Sequence, residues 1–275
     1  MVSAISVLVN FTVLATASTN ATIDSIDWSN MVRPVRDGLC NAGPAQVLVE
    51  ATEALHAIET QRPLELLSVQ QLLDCGGGMQ CGGGFIDFSY IAKKGICTET
   101  QYPRSGDLCS DGVTCESDTC HDSNCTHLKI LKSATTLPEG NESALAQALT
   151  VAPVALAVDS DSTAFKSYTG GVFDESCGSQ VNLPLLAVGF GFDPDFGKEY
   201  WKLKNYWGTA WGEHGLVRLV RGKNMCGVAQ YAVQLIGGCL KERSTNCHLG
   251  ASECCAGLTC KMSHGTYRQP QCLPP

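Results

Sequence analysis

Basic residues, long apolar runs and internal repeats are the features that this sequence has least of. Its 275 residues include only 19 lysines and arginines against 27 aspartates and glutamates, for a net charge of −8. Because phosphate binding needs clustered lysines and arginines, no nucleic acid is expected as a partner. No apolar stretch is long enough to span a membrane, and the absence of repeats and low-complexity segments excludes a repeat array.

Apolar residues and cysteines, by contrast, are abundant. The chain is 44% apolar, which is enough for a substantial core and excludes wholesale disorder. Ten of the 16 cysteines lie between Cys40 and Cys226, and six lie between Cys239 and Cys272. Both counts are even, so each region can pair its cysteines internally. They predict a disulfide framework, and hence a secreted protein or one in the lumen of a secretory or lysosomal compartment, with a boundary near residue 237.

The N-terminus carries the features of a secretory leader. Residues 1–22 open with an uncharged apolar run, and Ala15-Thr16-Ala17 suits signal peptidase, although no basic residue precedes the run. A buried strand or a remnant of a longer precursor is the alternative. The sequons at Asn124 and Asn141 are consistent with secretion and predict glycosylation there.

Helical patterns come first along the chain and strand patterns follow. A helix is predicted just after Gly43-Pro44, and shorter helices are predicted over 67–73 and 85–92. Short β-prone runs bounded by Gly, Pro or Asp are typical of the second half. They are Val154–Val158, Leu185–Phe190, Glu199–Lys204 and Gly215–Val220.

Several blocks of sequence resemble papain-like cysteine peptidases, in the order and at the spacings of that family. They are Asp27-Trp28 with Val32-x-Pro34-Val35-Arg36, Gly38-Leu39-Cys40, Leu72-Leu73-Asp74-Cys75, Cys81-Gly82-Gly83-Gly84, Ala187-Val188-Gly189-Phe190-Gly191, and Trp201-x-Leu203-Lys204-Asn205-x-Trp207-Gly208-x-x-Trp211-Gly212-Glu213-x-Gly215. The resemblance covers about residues 25–236 and predicts a papain-like domain over residues 23–237. It implies an α+β, two-lobed fold with a helical left lobe, a β-barrel-like right lobe and a peptide-binding cleft between them.

The resemblance also implies three disulfides in this domain. They are Cys40–Cys81, Cys75–Cys109 and Cys177–Cys226. Four cysteines are left over, enough for two more bridges whose pairing stays open: Cys97, Cys115, Cys120 and Cys125. A zinc site formed by some of these with His121 and His127 is the alternative, but disulfides are favoured in a secreted chain, and no metal or cofactor is expected.

The positions that the resemblance assigns to catalysis do not carry catalytic side chains. Papain-like catalysis needs a thiolate, an imidazole that pairs with it, an Asn that orients the imidazole, and an oxyanion donor. The nucleophile position falls on Gly43, the base on Leu183, and the oxyanion donor on Asp37. Only the orienting residue, Asn205, is retained, and alone it is expected to be a buried amide bonded to backbone.

The cleft is nevertheless expected to keep residues that could hold a peptide. Gly83 and Gly84 match a glycine pair along which a peptide backbone can approach, and Trp211 belongs to the same predicted cleft. A turn retained for folding is the alternative explanation for the glycines. Leu183 and Pro184 would make the cleft floor more apolar.

The last region, residues 238–275, resembles an inhibitor cystine knot, or knottin. Its most specific feature is the adjacent pair Cys254-Cys255 followed by Cys260. The resemblance implies the pairs Cys239–Cys255, Cys247–Cys260 and Cys254–Cys272. A module this short needs such bridges because it cannot bury enough apolar area alone.

The sequence therefore predicts a secreted, monomeric papain-family homologue without proteolytic activity that binds a peptide or protein, such as a protease inhibitor. Two alternatives remain. One is an active cysteine-type endopeptidase that uses a non-standard site, and the other is a structural or storage protein that keeps only the fold.

Overall fold

The computed structural model describes residues 24–35, 42–76, 86–104, 119–238, 254–255, 258–262 and 270–273. The predicted leader, Asp37, Gly83 and Gly84 lie outside these ranges, and so do six cysteines: Cys40, Cys81, Cys109, Cys115, Cys239 and Cys247. Within the ranges, no helix combines the length and the apolarity that crossing a bilayer requires.

A long buried helix dominates the first half of the chain. Helix α1 spans Gly43–Thr60 and begins two residues earlier than predicted, with Pro44 in the first turn where its missing N–H is no loss. It ends where Gln61 adopts a left-handed conformation with φ 52°, and the Gln61 N–H donates to the carbonyl oxygen of Ala57.

Two short helices follow. Helix α2 spans Val69–Cys75 and is capped by Ser68, whose Oγ accepts a hydrogen bond of 2.9 Å from the N–H of Gln71. Helix α3 spans Ser89–Lys94 and begins later than predicted. Asp87 explains the later start, because its carboxylate accepts hydrogen bonds from both the N–H and the hydroxyl of Ser89.

Most strands of the second half form one eight-stranded sheet. Its strand order is β2–β8–β3–β5–β6–β7–β4, with β1 paired to β5. Helices α4 and α5 span Glu142–Leu149 and Thr163–Lys166, and a separate antiparallel pair follows near the C-terminus. The strands are β1 Ile26–Asp27, β2 Leu131–Thr136, β3 Val154–Val158, β4 Val172–Phe173, β5 Leu183–Asp193, β6 Lys198–Lys204, β7 Leu216–Val220, β8 Tyr231–Gly237, β9 Thr259–Met262 and β10 Pro270–Leu273.

The central strands supply side chains to two separate cores, because successive residues of a strand point to opposite faces. On β5, Leu186 and Val188 pack into the core that surrounds α1. Leu185 and Ala187 pack instead into a second core with Trp201 and the residues of α4 and α5. The sheet thus has the core around α1 on one face. On the other face it has the core that contains Trp201 and residues of α4 and α5.

Buried ion pairs fix α1 in place. Glu53 pairs with Arg33 and accepts a 2.7 Å hydrogen bond from the N–H of Leu67. One turn earlier, Glu50 accepts hydrogen bonds from Gln46 Nε2 at 2.9 Å and from Lys204 Nζ at 2.5 Å. Since Lys204 is the last residue of β6, this pair ties α1 to the strand that leads into Asn205.

The disulfides agree with the sequence prediction in part. The structure contains the Cys177–Cys226 and Cys254–Cys272 bridges, which are the pairings that the two resemblances imply. All ten described cysteines are disulfide-bonded.

The predicted Cys75–Cys109 pairing is wrong, because Cys75 is bonded to Cys120, with 4.9 Å between the Cα atoms. Tyr102 holds the two segments together: its hydroxyl donates to Asp74 at 2.7 Å and accepts from the His121 N–H at 3.3 Å. Of the pairings left open, the structure also contains Cys97–Cys125.

Candidate functional site

Gly43 lies at the start of α1, where the resemblance puts the nucleophile, and the ring of Tyr206 covers it. A Cβ atom built on Gly43 would collide with Cζ, Cε1 and the hydroxyl oxygen of Tyr206. Glycine therefore permits a close approach that no other residue could make without moving the ring.

Tyr206 is held in this place by its neighbours in the chain. The Asn205 N–H donates to the carbonyl oxygen of Gly215 at 2.8 Å, and the Tyr206 N–H donates to Asn205 Oδ1 at 2.8 Å. The ring packs against both cores, and burial raises the pKa of the Tyr206 phenol to about 12. Tyr206 is therefore neutral at physiological pH and gives Gly43 an uncharged cover.

Leu183, at the position predicted for the base, begins β5 and is buried in the second core. It pairs with Val158 across the antiparallel β3–β5 pair. On one side of it, Asn182 Oδ1 accepts hydrogen bonds from the N–H of Ser160 at 3.0 Å and from its Oγ at 2.9 Å. An aliphatic side chain there can neither accept nor deliver a proton.

Asn205 is only 1% exposed, and its two side-chain polar atoms differ in their bonding. Oδ1 accepts from the Tyr206 N–H, whereas Nδ2 has no hydrogen-bond partner among the described residues. The expectation of a buried amide bonded to backbone is thus half met, since the donor end of this amide has nothing to donate to.

Trp211 belongs to a cluster of aromatic rings beside this region. Its ring centroid lies 5.2 Å from that of Trp207, 5.4 Å from Phe165 and 5.6 Å from Tyr168. Trp211 Nε1 donates to the carbonyl oxygen of Lys166 at 3.1 Å, and Trp207 is 37% exposed. The structure therefore gives Trp211 a packing role and leaves part of Trp207 facing solvent.

An apolar cavity of about 430 Å³ opens beside the start of β5. The Tyr231 hydroxyl donates to the carbonyl oxygen of Ile86 at 3.2 Å and closes one wall, while Gln230 and Glu139 are hydrogen-bonded to each other. Burial, with Asp87 nearby, raises the pKa of Tyr231, so this wall is uncharged. The cavity is lined by Ile86, Glu139, Ala157, Val181, Asn182, Pro184, Gln230 and Tyr231.

The strand register connects this cavity to the covered glycine. Leu186 pairs with Lys204 in the antiparallel β5–β6 pair. Pro184 precedes Leu186 by two residues and Tyr206 follows Lys204 by two residues, so both come just beyond the point where this pairing stops. The cavity wall at Pro184 and the ring over Gly43 are therefore at the same end of the β5–β6 pair.

The sequence pointed to Pro184 but to neither Tyr206 nor the other residues that line the cavity. The motif Asn205-x-Trp207 leaves the position of Tyr206 open, and its place beside Asn205 is the only signal that could have drawn attention to it. Val181 and Pro184 flank the predicted base position closely, which is the corresponding signal for the cavity.

Comparison with known proteins agrees with this architecture. The family model described as papain family cysteine protease matches residues 22–236. The chain belongs to the papain family of cysteine peptidases.

Relatives from plants are identical to this chain at about a third of the aligned residues. The probable cysteine protease RD21C of Arabidopsis thaliana is 34% identical over 221 residues, which cover 76% of this chain and 47% of that protein. Vignain of Ricinus communis is 36% identical, with 76% of this chain and 58% of vignain covered. The chain thus spans about half the length of the curated relatives it matches.

Solved structures show the same fold. The bromelain protease of Ananas comosus in complex with the E64 inhibitor superposes with a TM-score of 0.69 at 31% identity, covering 78% of this chain and 99% of that one. The proform of Amb a 11, a cysteine protease and ragweed pollen allergen, gives a TM-score of 0.69 at 32% identity, covering 80% of this chain and 69% of that one.

Proposed function

We propose that this papain-family protein is proteolytically inactive and acts by binding a peptide or a protein. The observation that carries the proposal is the pairing of Gly43 with Tyr206, which puts a neutral ring where a papain-like enzyme needs a thiolate. Leu183 supports it, since a buried leucine cannot replace the imidazole. Asp37, in the sequence, would oppose an oxyanion instead of stabilising it.

The apolar cavity is the proposed binding element. Its volume is in the range of small-ligand sites, and its walls are mainly apolar, with a few polar groups at the edge. An aliphatic or aromatic side chain of a bound peptide suits such a cavity, because burial of that side chain contributes most of the affinity. Glu139 and Gln230 are placed to contact polar parts of the same ligand.

Inactivity is tested with purified full-length protein, fluorogenic peptides and a thiol-directed label. We expect no turnover and no labelling under non-reducing conditions, because the described cysteines are all in disulfides. A papain-family peptidase of known activity, run in parallel, shows that the substrates and the label work. Turnover that the label abolishes would overturn the proposal in favour of a non-standard nucleophile.

Binding is tested by fluorescence anisotropy with labelled peptides that carry leucine or phenylalanine. Val181→Lys places a charge on the cavity wall, and we expect it to weaken binding by about tenfold or more, because burying an unpaired charge is costly. The matched control is Val151→Lys on an exposed turn, where Val151 is 48% exposed. Absence of saturable binding by the unmodified protein would leave only a structural or storage role.

We further propose that the protein is secreted, is glycosylated at Asn124 and Asn141, and carries a knottin-like module over residues 238–275. Asn141 is exposed and its Oδ1 accepts from the N–H of Ala144, which leaves Nδ2 available for a glycan. The Cys254–Cys272 bridge and the β9–β10 pair fit a disulfide-supported module. Mass spectrometry of protein from a secretory host, before and after glycosidase treatment, tests both assignments.

A further inference from the structure

We infer that Tyr206 blocks the cleft at Gly43 and so selects ligands that occupy the apolar cavity without continuing across α1. This inference rests on the proposed binding of peptides at the cavity. It goes beyond loss of catalysis, because a glycine in place of a nucleophile would by itself leave the cleft open.

The Tyr206 ring closes the space above Gly43 sterically. The space in which a side chain at residue 43 would project is filled by the Tyr206 ring. A ligand that lays its backbone over Gly43 must therefore displace that ring.

Packing, hydrogen bonds and a buried ion pair hold the Tyr206 ring in place. Tyr206 packs against both cores, its N–H is bonded to Asn205 Oδ1, and Asn205 N–H is bonded to Gly215. Two residues before Tyr206, Lys204 is 4% exposed and forms an ion pair with Glu50 of α1. The backbone that carries Tyr206 is thus tied both to the sheet and to the helix that it covers.

The ring and the cavity lie at the same end of the β5–β6 pair. Leu186 pairs with Lys204, Pro184 of the cavity wall precedes Leu186 by two residues, and Tyr206 follows Lys204 by two residues. A peptide whose apolar side chain enters the cavity can therefore extend away from Gly43, but its other direction runs into the ring. The expected ligand is a chain that ends at the cavity or turns away from it there.

The binding experiment uses three labelled peptides with a central leucine: one extended only on its N-terminal side, one only on its C-terminal side, and one on both sides. For the unmodified protein we expect one of the one-sided peptides to bind at least about tenfold more tightly than the two-sided peptide. Tyr206→Ala should remove most of that difference. Tyr206→Phe, which keeps the ring, should retain it.

A stability experiment tests the steric contact without a ligand. Gly43→Ala should lower the melting temperature of the unmodified protein, because the new methyl group overpacks the contact with Tyr206. In a Tyr206→Ala background the same change should lower it much less. Tyr206→Ser is the alternative background if Tyr206→Ala does not fold.

The outcomes separate the inference from the proposed function. Equal affinity of the unmodified protein for one-sided and two-sided peptides, or an equal effect of Gly43→Ala in both backgrounds, overturns the role of Tyr206 and leaves peptide binding intact. Absence of binding by all three peptides overturns peptide binding and, with it, the selection of ligands by Tyr206.

Discussion

The Asn205 side chain accepts a hydrogen bond at Oδ1 and has no partner for Nδ2 among the described residues. A buried donor without a partner costs about 1–3 kcal/mol, whereas a satisfied hydrogen bond contributes about 1 kcal/mol net. Asn182 presents the opposite case. It is exposed, yet its Oδ1 accepts two hydrogen bonds from Ser160, which is 8% exposed. We therefore expect the exposed Asn182 to contribute more to stability than the buried Asn205.

Asn205→Ala is expected to lower the free energy of unfolding by less than Asn182→Ala, although Asn205 is the more deeply buried residue. Removing Asn205 leaves the Tyr206 N–H without its acceptor, but it also removes the buried, unpaired Nδ2. Because these two effects oppose each other, the net change should stay within about 1 kcal/mol. Removing Asn182 leaves the Ser160 N–H without its partner. Urea unfolding of both variants measures the two values, and a larger loss for Asn205→Ala would contradict the assignment.

Restoring a thiol at Gly43 should require a second change at Tyr206. In Gly43→Cys the new side chain occupies the space of the ring, so we expect slow labelling by iodoacetamide. Adding Tyr206→Ser should raise the labelling rate by at least about tenfold, since thiol reactivity depends on access. Tyr206→Ser alone is the control for labelling elsewhere. Equal rates in both backgrounds would show that the ring does not shield position 43.

At the scale of secondary-structure elements, local sequence signals predicted those helices and strands whose bounds depend on short-range interactions. Pro44 marked the start of α1, and the β-prone runs bounded by Gly, Pro or Asp placed β3, β6 and β7 within one residue of their observed bounds. Strand β5 begins two residues earlier and ends three residues later than predicted. Strand β2, with its exposed threonines, carried a weak signal and was not predicted. It forms because β8 supplies its hydrogen-bond partners, which is a tertiary effect.

Arg218 on strand β7 is bound by two acidic side chains. Arg218 donates to both carboxylate oxygens of Glu213 and also pairs with Asp193. Glu213 in addition accepts a 2.9 Å hydrogen bond from the N–H of Gly171, next to β4. Burial alone would raise the pKa of Glu213, but Arg218 and the Gly171 N–H outweigh it and lower that pKa below its ordinary value.

The free energy of unfolding should therefore decrease as the pH is lowered. Glu213→Gln should make this decrease smaller. A carboxylate with a lowered pKa contributes stability above its unfolded pKa, near 4.5, and loses that contribution as the pH falls through the folded value. The melting temperature of Glu213→Gln should thus lie well below that of the unmodified protein at pH 7 and approach it at pH 3. Glu199→Gln, exposed on β6, is the matched control. A difference that stays constant with pH would contradict the assignment.

At the scale of the whole molecule, the sequence predicted the family, and the positions that depart from it could be read directly from the motifs. It did not predict the contact of Tyr206 with Gly43, because the two residues are far apart in the chain and meet only when β6 packs beside α1. The Cys75–Cys120 bridge was mispredicted for a related reason. A bridge forms only between cysteines whose Cα atoms the fold brings within about 4–7 Å of each other, and the spacing of cysteines along the chain does not show which one lies that close to Cys75.

The two cores share the strands of one sheet, so the molecule should unfold as a unit. Leu186→Ala removes a side chain from the core around α1, and Leu185→Ala removes one from the core that contains Trp201. Each should cost about 2–5 kcal/mol, because a cavity remains in a close-packed interior. Val151→Ala, at an exposed turn, should cost little.

Two signals should report the same transition in both variants, even though they report on different cores. Far-UV circular dichroism follows α1, whereas tryptophan fluorescence follows Trp201 and its neighbours. Because adjacent residues of β5 point into opposite cores, losing either core removes the support of the other, and the midpoints should coincide. If Leu186→Ala instead shifted the dichroism midpoint alone, the cores would be independently stable. Tyr206 would then be held against α1 less firmly than the ion pair between Glu50 and Lys204 implies.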